Sequence, residues 1–500
     1  VNPGTAELQA HSEAAKEAAV SGFNVEAREE LPESPGTDAE SPEEEKPGED
    51  PKTGGMPFTW RDAIAASASG VKVEPGRLKA IPEVNAEGEA VIRFTEGEIA
   101  AALSPMSGRI LTLEAVLPPE PASIRLESPL RTLQTALHEK SGDLDALRLA
   151  AGEADISLRA DTLREFGNAS MLELFFGKAS QVKQSGIGDA AAGWAYSPAY
   201  QLLLKLDGQP VSTVKNGVLL ELGYALKPDQ QPGKVVAYTL RDDGTPQIVR
   251  HGRYDPSFAK LTFQLQTLQP FGAAYHEQSF IDIGTVPWAK ESIEELAAKG
   301  MLRGPGNGRF APEAEVTRAE FARLLLNIFD LADAIPGGQL ALADREAAGE
   351  RGSGKQTAEK PGHRKLTDMD NSAWYYQAVT AAQLLGIAEG RTDGSFGGND
   401  PISRQEMAVM VYRLIPVAGL NGMYMQKAPE EVFSDESSIA GYARESVISL
   451  QRAGLLQGTA QGMFMPRSGT TRAEAAVLLH RLYKLGSTST GGERQPTISV

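Results

Sequence analysis

Downstream of Ala274 the chain copies itself three times, over 280–329, 366–414 and 433–483. A unit too small to bury its own apolar face must close it against its neighbours, so three copies imply one shared core. Each copy opens with an aromatic residue, Trp288, Trp374 or Tyr442, and its first amphipathic stretch ends at Gly300, Gly386 or Gly454. Within these stretches Ile293, Leu296 and Ala297, then Val379 and Ala382, then Val447 and Leu450 recur at three- and four-residue spacings. That spacing predicts a helix in each copy with one apolar side. Each terminal glycine begins a five-residue unit closed by a second glycine, Gly304, Gly390 or Gly458. A left-handed helix cap, which tolerates no Cβ, accounts for the first. The second has two readings: it turns the loop, or it admits a bulky ligand to the backbone.

An aromatic residue expected in the core follows, Phe310, Phe396 or Phe464, and then the most informative motif. Thr317-Arg318-Ala319-Glu320, Ser403-Arg404-Gln405-Glu406 and Thr471-Arg472-Ala473-Glu474 place a hydroxyl and a carboxylate three residues apart. Such pairs are capping boxes, each opening a second helix. The faces that follow are apolar: Phe321, Leu324, Leu325 and Ile328; Met407, Met410, Val411 and Leu414; Leu478, Leu479 and Leu482. Capping explains Thr317, Glu320, Ser403, Glu406, Thr471 and Glu474, but places no demand on the arginine between them. A cation there opposes the helix dipole by a few tenths of a kcal/mol, so something must offset it. Either each arginine pairs with a nearby acid such as Asp282, Asp368 or Asp435, or it joins free helix-start amides in a carboxylate or phosphate site. Recurrence in three copies favours the second reading.

The order Phe/Leu-x-Asp, aromatic, Gly-x-x-x-Gly, aromatic, Thr-Arg-Ala-Glu resembles the S-layer homology domain, over about two-fifths of the chain. The resemblance implies an all-α, pseudo-threefold unit whose grooves bind secondary cell wall polysaccharide, often carrying a pyruvylated amino sugar. It also implies attachment to the peptidoglycan-associated envelope of an extracellular, surface-layer protein. The implied ligand residues are Arg318, Arg404 and Arg472, the aromatics Trp288, Trp374 and Tyr442, and the glycines Gly304, Gly390 and Gly458. Copy two departs by reading Ser-Arg-Gln-Glu, and copy three has one more residue before its aromatic.

Upstream, the chain divides by composition. Residues 1–55 are rich in Glu, Pro, Gly and Ser and read as a disordered acidic linker. Residues 56–178 and 179–278 read as two β-rich modules, the first with short helices and the second sandwich-like. Alternating stretches near 91–94, 110–113, 156–158, 171–174, 201–206, 218–222, 235–238 and 260–263 carry that expectation. Stretches after Phe94 and Leu158 predict a strand, short helix, strand pattern used twice. The whole resembles the β-rich segments that precede wall-anchoring repeats in surface proteins of Paenibacillus-like bacteria. The repeats are bounded as 279–332, 365–416 and 430–485, with a flexible insert at 333–364 and a disordered tail at 486–500.

The expected fold class is therefore multidomain α+β, with β-rich surface modules ahead of a helical triple repeat. A formal charge of −17 argues against nucleic acid as a bulk partner. The absence of cysteine excludes disulfides and thiolate chemistry and fits a Gram-positive secreted protein. No apolar run is long enough to span a bilayer. The start lacks a signal-peptide pattern, so an export signal is expected to lie upstream or to have been removed. No hydrolase elbow, zinc helix or phosphate loop occurs, so neither cofactor nor metal is expected and binding rather than catalysis is the expected chemistry. The alternatives are a wall-anchored carbohydrate-active hydrolase fragment and a structural protein of a surface lattice.

Overall fold

The computed structural model describes residues 71–331, 366–420 and 433–488, apart from breaks at 87, 105–108, 117–122, 139–143, 153, 180–193 and 371. The acidic segment 1–55, the insert 333–364 and the tail from 489 lie outside the described residues; the first three residues of the expected tail, 486–488, instead continue the helix Arg472–Thr488.

Alternation of apolar and polar residues builds two facing sheets. Along Ser123–Pro129, for example, Ile124 and Leu126 point inward while Arg125 and Glu127 do not. One sheet orders its strands Val71–Glu74, Arg77–Ala80, Ile110–Ala115, Ala146–Ala151, Ala154–Arg159, Thr213–Gly223, Lys260–Thr267 and Arg253–Asp255. The other runs Pro246–Val249, Val235–Leu240, Phe271–His276, Tyr200–Leu206, Met171–Lys178, Ser123–Pro129, Glu89–Arg93 and Glu83–Val84. Leu113, Leu149, Ile156 and Leu220 of the first sheet meet Ile92, Leu126, Leu174 and Leu202 of the second in one core.

The strand, helix, strand unit occurs three times rather than twice. Helices α1 (Glu96–Leu103), α2 (Arg131–His138) and α3 (Ala160–Glu165) each carry the chain from one sheet to the other. They pack side by side, and α1 is started by a capping box between Thr95 and Glu98. Crossing through the opposite sheet is what lets Ile110–Ala115 lie parallel to Ala146–Ala151, and Glu89–Arg93 parallel to Ser123–Pro129.

The expected division at 178/179 does not divide the sheets. Ala154–Arg159 pairs with Thr213–Gly223, and Met171–Lys178 pairs with Tyr200–Leu206. Strands from both expected modules share both sheets because each half alone leaves edge hydrogen bonds unmade.

The helical part comprises α4 (Pro287–Ala298) and α5 (Arg318–Ile328) of copy one, α6 (Tyr376–Leu384) and α7 (Arg404–Val417) of copy two, and α8 (Gly441–Arg452) and α9 (Arg472–Thr488) of copy three. The second helix of each copy packs on the first helix of the next: α5 on α6, α7 on α8, and α9 back on α4. Phe310, Phe396 and Phe464 are fully buried in the single core this creates. At the centre the backbone closes a ring of three hydrogen bonds, Ile402 N to Val316 O, Thr470 N to Ile402 O and Val316 N to Thr470 O, at 2.9, 3.1 and 2.8 Å.

The sandwich docks on the seam where α9 meets α4. Lys299 Nζ and Tyr483 Oη both donate to the carbonyl of Gly252, at 3.1 and 3.3 Å. Lys234 joins Glu277 and Glu294 at 2.6 and 2.9 Å, and His276 Nδ1 lies 2.6 Å from the carbonyl oxygen of Ala298. Within the seam His480 bridges Ser292 and Glu295 at 3.0 and 2.9 Å, and Lys484 adds a second contact to Glu295. Burial alone would raise the Glu295 carboxyl, but the His480 hydrogen bond and the charges of Lys299, His480 and Lys484 bring it down to about 2. A carboxyl depressed on folding stabilises the fold above its unfolded value near 4.5 and stops doing so as pH falls through its folded value. Wild type should therefore lose about 3 kcal/mol relative to Glu295→Gln between about pH 5 and pH 2. Denaturant titrations of both proteins at stepped pH check this; parallel curves would refute it.

Candidate functional site

The three arginines lie between copies, and the geometry repeats cyclically. Arg318 Nε donates to the carbonyl of Phe396 at 2.9 Å and its terminal nitrogen to Glu406 at 2.6 Å. Arg404 does the same to Phe464 and Glu474, at 2.8 and 3.1 Å. Arg472 donates to Phe310 at 2.9 Å and to the carbonyl of Arg303 at 2.8 Å, with Glu320 3.9 Å away. Each guanidinium also lies over the phenylalanine ring of the next copy, at 5.0, 5.3 and 4.8 Å. The capping glutamates Glu406 and Glu474 thus serve two helices, one oxygen closing its own box and the other accepting from the arginine of the preceding copy, while Glu320 closes its box and lies 3.9 Å from Arg472. That pairing offsets the cation at a helix start. Burial pushes the guanidinium pKa of Arg318 and of Arg472 below the ordinary value, against the pull of Glu406 and Glu320.

Both sequence readings of the arginine need correction here. The helix-start amides are not free: those of Arg318 and Ala319 donate to Asp400 and Gly398, those of Arg404 and Gln405 to Ser468 and Pro466, and those of Arg472 and Ala473 to Ala314 and Pro312. Nor do the arginines pair with Asp282, Asp368 or Asp435. Asp282 accepts from the amides of Phe310 and Ala311, Asp368 from Phe396 and Gly397, and Asp435 from Phe464 and Met465, all between 2.6 and 2.9 Å. Ala311, Gly397 and Met465 hold φ of 57°, 66° and 57°, so this carboxylate clamp fastens a left-handed residue after each buried phenylalanine. The recurrence of Phe/Leu-x-Asp was the sequence signal for it.

All three capping boxes form as the spacing predicts, with Thr317, Ser403 and Thr471 accepting from the amides of Glu320, Glu406 and Glu474. The first glycines cap their helices at φ of 68°, 70° and 72°. The second glycines answer to close approach: a Cβ on Gly304 would stand 1.8 Å from the carbonyl oxygen of Arg309. On Gly390 it would stand 2.4 Å from Leu366, and on Gly458 3.1 Å from Phe433. A loop backbone folded onto each glycine is reason enough for the residue type.

Against this closed interior, the opening aromatics stand out in solvent. Trp288, Trp374 and Tyr442 are 39%, 53% and 63% exposed, at equivalent places beside the three seams. Rings so exposed at symmetric positions contribute little to the core and leave π-faces for stacking. Sequence reasoning missed Arg323 of α5, whose guanidinium lies 4.6 Å from the centre of the Trp374 ring. No repeat marks it: the same place holds Val409 in copy two and Val477 in copy three. Among the described residues no cluster of metal-holding side chains occurs, and no helix is long and apolar enough to cross a membrane.

The S-layer homology domain family matches residues 279–322, 365–408 and 432–476. Similar proteins include an amylopullulanase of Thermoanaerobacterium thermosulfurigenes, 27% identical over 53% of this chain and 12% of that protein. The surface-layer 125 kDa protein of Lysinibacillus sphaericus is 25% identical over 39% of this chain and 14% of its own length. The S-layer protein sap of Bacillus anthracis is 26% identical over 41% and 21%. The match spans about an eighth to a fifth of these relatives, which include both enzymes and surface-layer proteins. The three matched segments are the three copies that close into one ring, so the C-terminal part of this chain carries a triple S-layer homology module.

Proposed function

We propose that the ring holds the protein to the cell wall by binding pyruvylated secondary cell wall polysaccharide in its seams, and that this chain makes no bonds of its own. The observation that carries the reading is the set of three exposed aromatic faces at equivalent places of the three copies, in a ring whose seams are each bridged by an arginine. Sugar rings stack on Trp288, Trp374 and Tyr442, while Arg318, Arg404 and Arg472 supply positive potential to an acidic ketal. Gly304, Gly390 and Gly458 contribute shape, letting the loops fold close beneath each seam. Three weak sites on one rigid ring raise retention on a polymer well beyond that of any single site.

Because the arginines also join the copies, the aromatics make the cleaner test. A Trp288→Ala, Trp374→Ala, Tyr442→Ala variant should keep the wild-type melting curve and lose at least about tenfold in sedimentation with purified walls, each stacked ring contributing roughly 1 kcal/mol. Wild type should likewise fail to sediment with walls stripped of the secondary polysaccharide. Undiminished binding in both arms would instead support protein lattice assembly.

A further inference from the structure

The three seams are not chemically equivalent, and the difference is one side chain. At the seam between α5 and α6, Arg323 lies over the Trp374 indole at 4.6 Å, while Trp374 sets its edge against Tyr375 at 5.2 Å. The indole is thereby held on two sides and still 53% exposed. Arg323 is itself exposed, and no carboxylate pairs with it among the described residues. It sits three residues after Glu320 on one helix face, and Glu320 faces Arg472 at 3.9 Å. This seam therefore gathers side chains from all three copies: Arg472, Glu320 with Arg323, and Trp374.

At the corresponding places the other seams have Val409 and Val477, apolar residues packed on the core. Counting the recurring arginine, the capping glutamate and this position, the Trp374 seam carries one net positive charge; the sets Arg318, Glu406, Val409 and Arg404, Glu474, Val477 carry none. Two donors of Arg472 are taken by the carbonyls of Phe310 and Arg303 and its side chain is 14% exposed, whereas Arg323 is exposed beside the indole. An anionic ligand stacked at Trp374 would meet an unspent, planar donor fork, and one at Tyr442 or Trp288 would not.

Resting on the wall-polysaccharide reading above, we infer that the seam of Trp374 is the dominant site and that Arg323 makes it selective for a carboxylate-bearing saccharide. The probes are the methyl glycoside of a pyruvylated N-acetyl amino sugar and its neutral methyl ester, titrated into the full chain by calorimetry. Arg323→Val should weaken the acid about tenfold and leave the ester unchanged, Arg323→Lys should fall between, and Trp374→Ala should remove the tight site for both. Tyr442→Ala and Trp288→Ala should leave that site intact. Unchanged or tighter acid binding by a folded Arg323→Val protein would overturn the inference while leaving wall anchoring standing. So would equal weakening of acid and ester, which would reduce Arg323 to a support for the indole. Wild type that binds neither probe nor intact walls would overturn the anchoring reading and this inference together.

Discussion

An Arg318→Ala protein is expected to lose about 3 kcal/mol of stability, the cost of stranding the far side of a buried charged pair. Its side chain is 6% exposed, and its removal leaves the Phe396 carbonyl and one oxygen of Glu406 without their donor. For a cooperative unit of this size the loss corresponds to a fall in Tm of roughly 5–10 °C. Arg404→Ala and Arg472→Ala should cost about half as much, since water reaches those side chains more readily, at 15% and 14% exposure. Calorimetry of the three single variants decides the matter. If Arg318→Ala melts with wild type, the arginine does not join the copies in the manner described, and a purely ligand-facing role returns.

Alanine at the second glycine of each loop should show a graded cost. At position 304 the new methyl group would collide with a carbonyl oxygen of the chain itself at 1.8 Å, and backbone cannot step aside as a side chain can. Gly304→Ala is expected to cost about 3 kcal/mol, at the upper end for overpacking. At 390 the nearest atom is a terminal methyl of Leu366 at 2.4 Å, which a rotamer change relieves in part. At 458 the nearest atoms stand at 3.1 and 3.2 Å, so Gly458→Ala should stay within about 1 kcal/mol. Denaturation midpoints of the three variants give the ranking. An equal cost at all three, or none at 304, would make the glycines a matter of ligand access instead of loop geometry.

These residues also mark how far the sequence alone could be read. Capping boxes at Thr317, Ser403 and Thr471 are local: spacing of three determines them, and all three formed. The partner of each arginine is not local. It lies 88 residues on for Arg318 and 70 for Arg404, in whichever copy the ring brings alongside, and periodicity within one copy carries no trace of that. The same holds for the sandwich. Strands such as 201–206 and 218–222 announced themselves by composition, yet the pairing of Ala154–Arg159 with Thr213–Gly223 could be seen only once both sheets were assembled. The helix α2 went unread because its apolar pair, Leu133 and Leu137, is too short a signal beside the alternating strand before it.

Where the sandwich meets the ring determines how the assembly bears load. Its contacts reach Lys299, which follows α4, and Tyr483 within α9, the first and last helices of the ring, through one carbonyl at Gly252. A pull transmitted through the sandwich is divided between both sides of the closing seam and draws on them together. Separating the two parts breaks the Gly252 contacts to copies one and three as well as the Lys234–Glu294 and Arg250–Asp330 pairs to copy one. The seam that closes the ring of three copies is thus also the one that carries the sandwich, and the two joints share a single carbonyl.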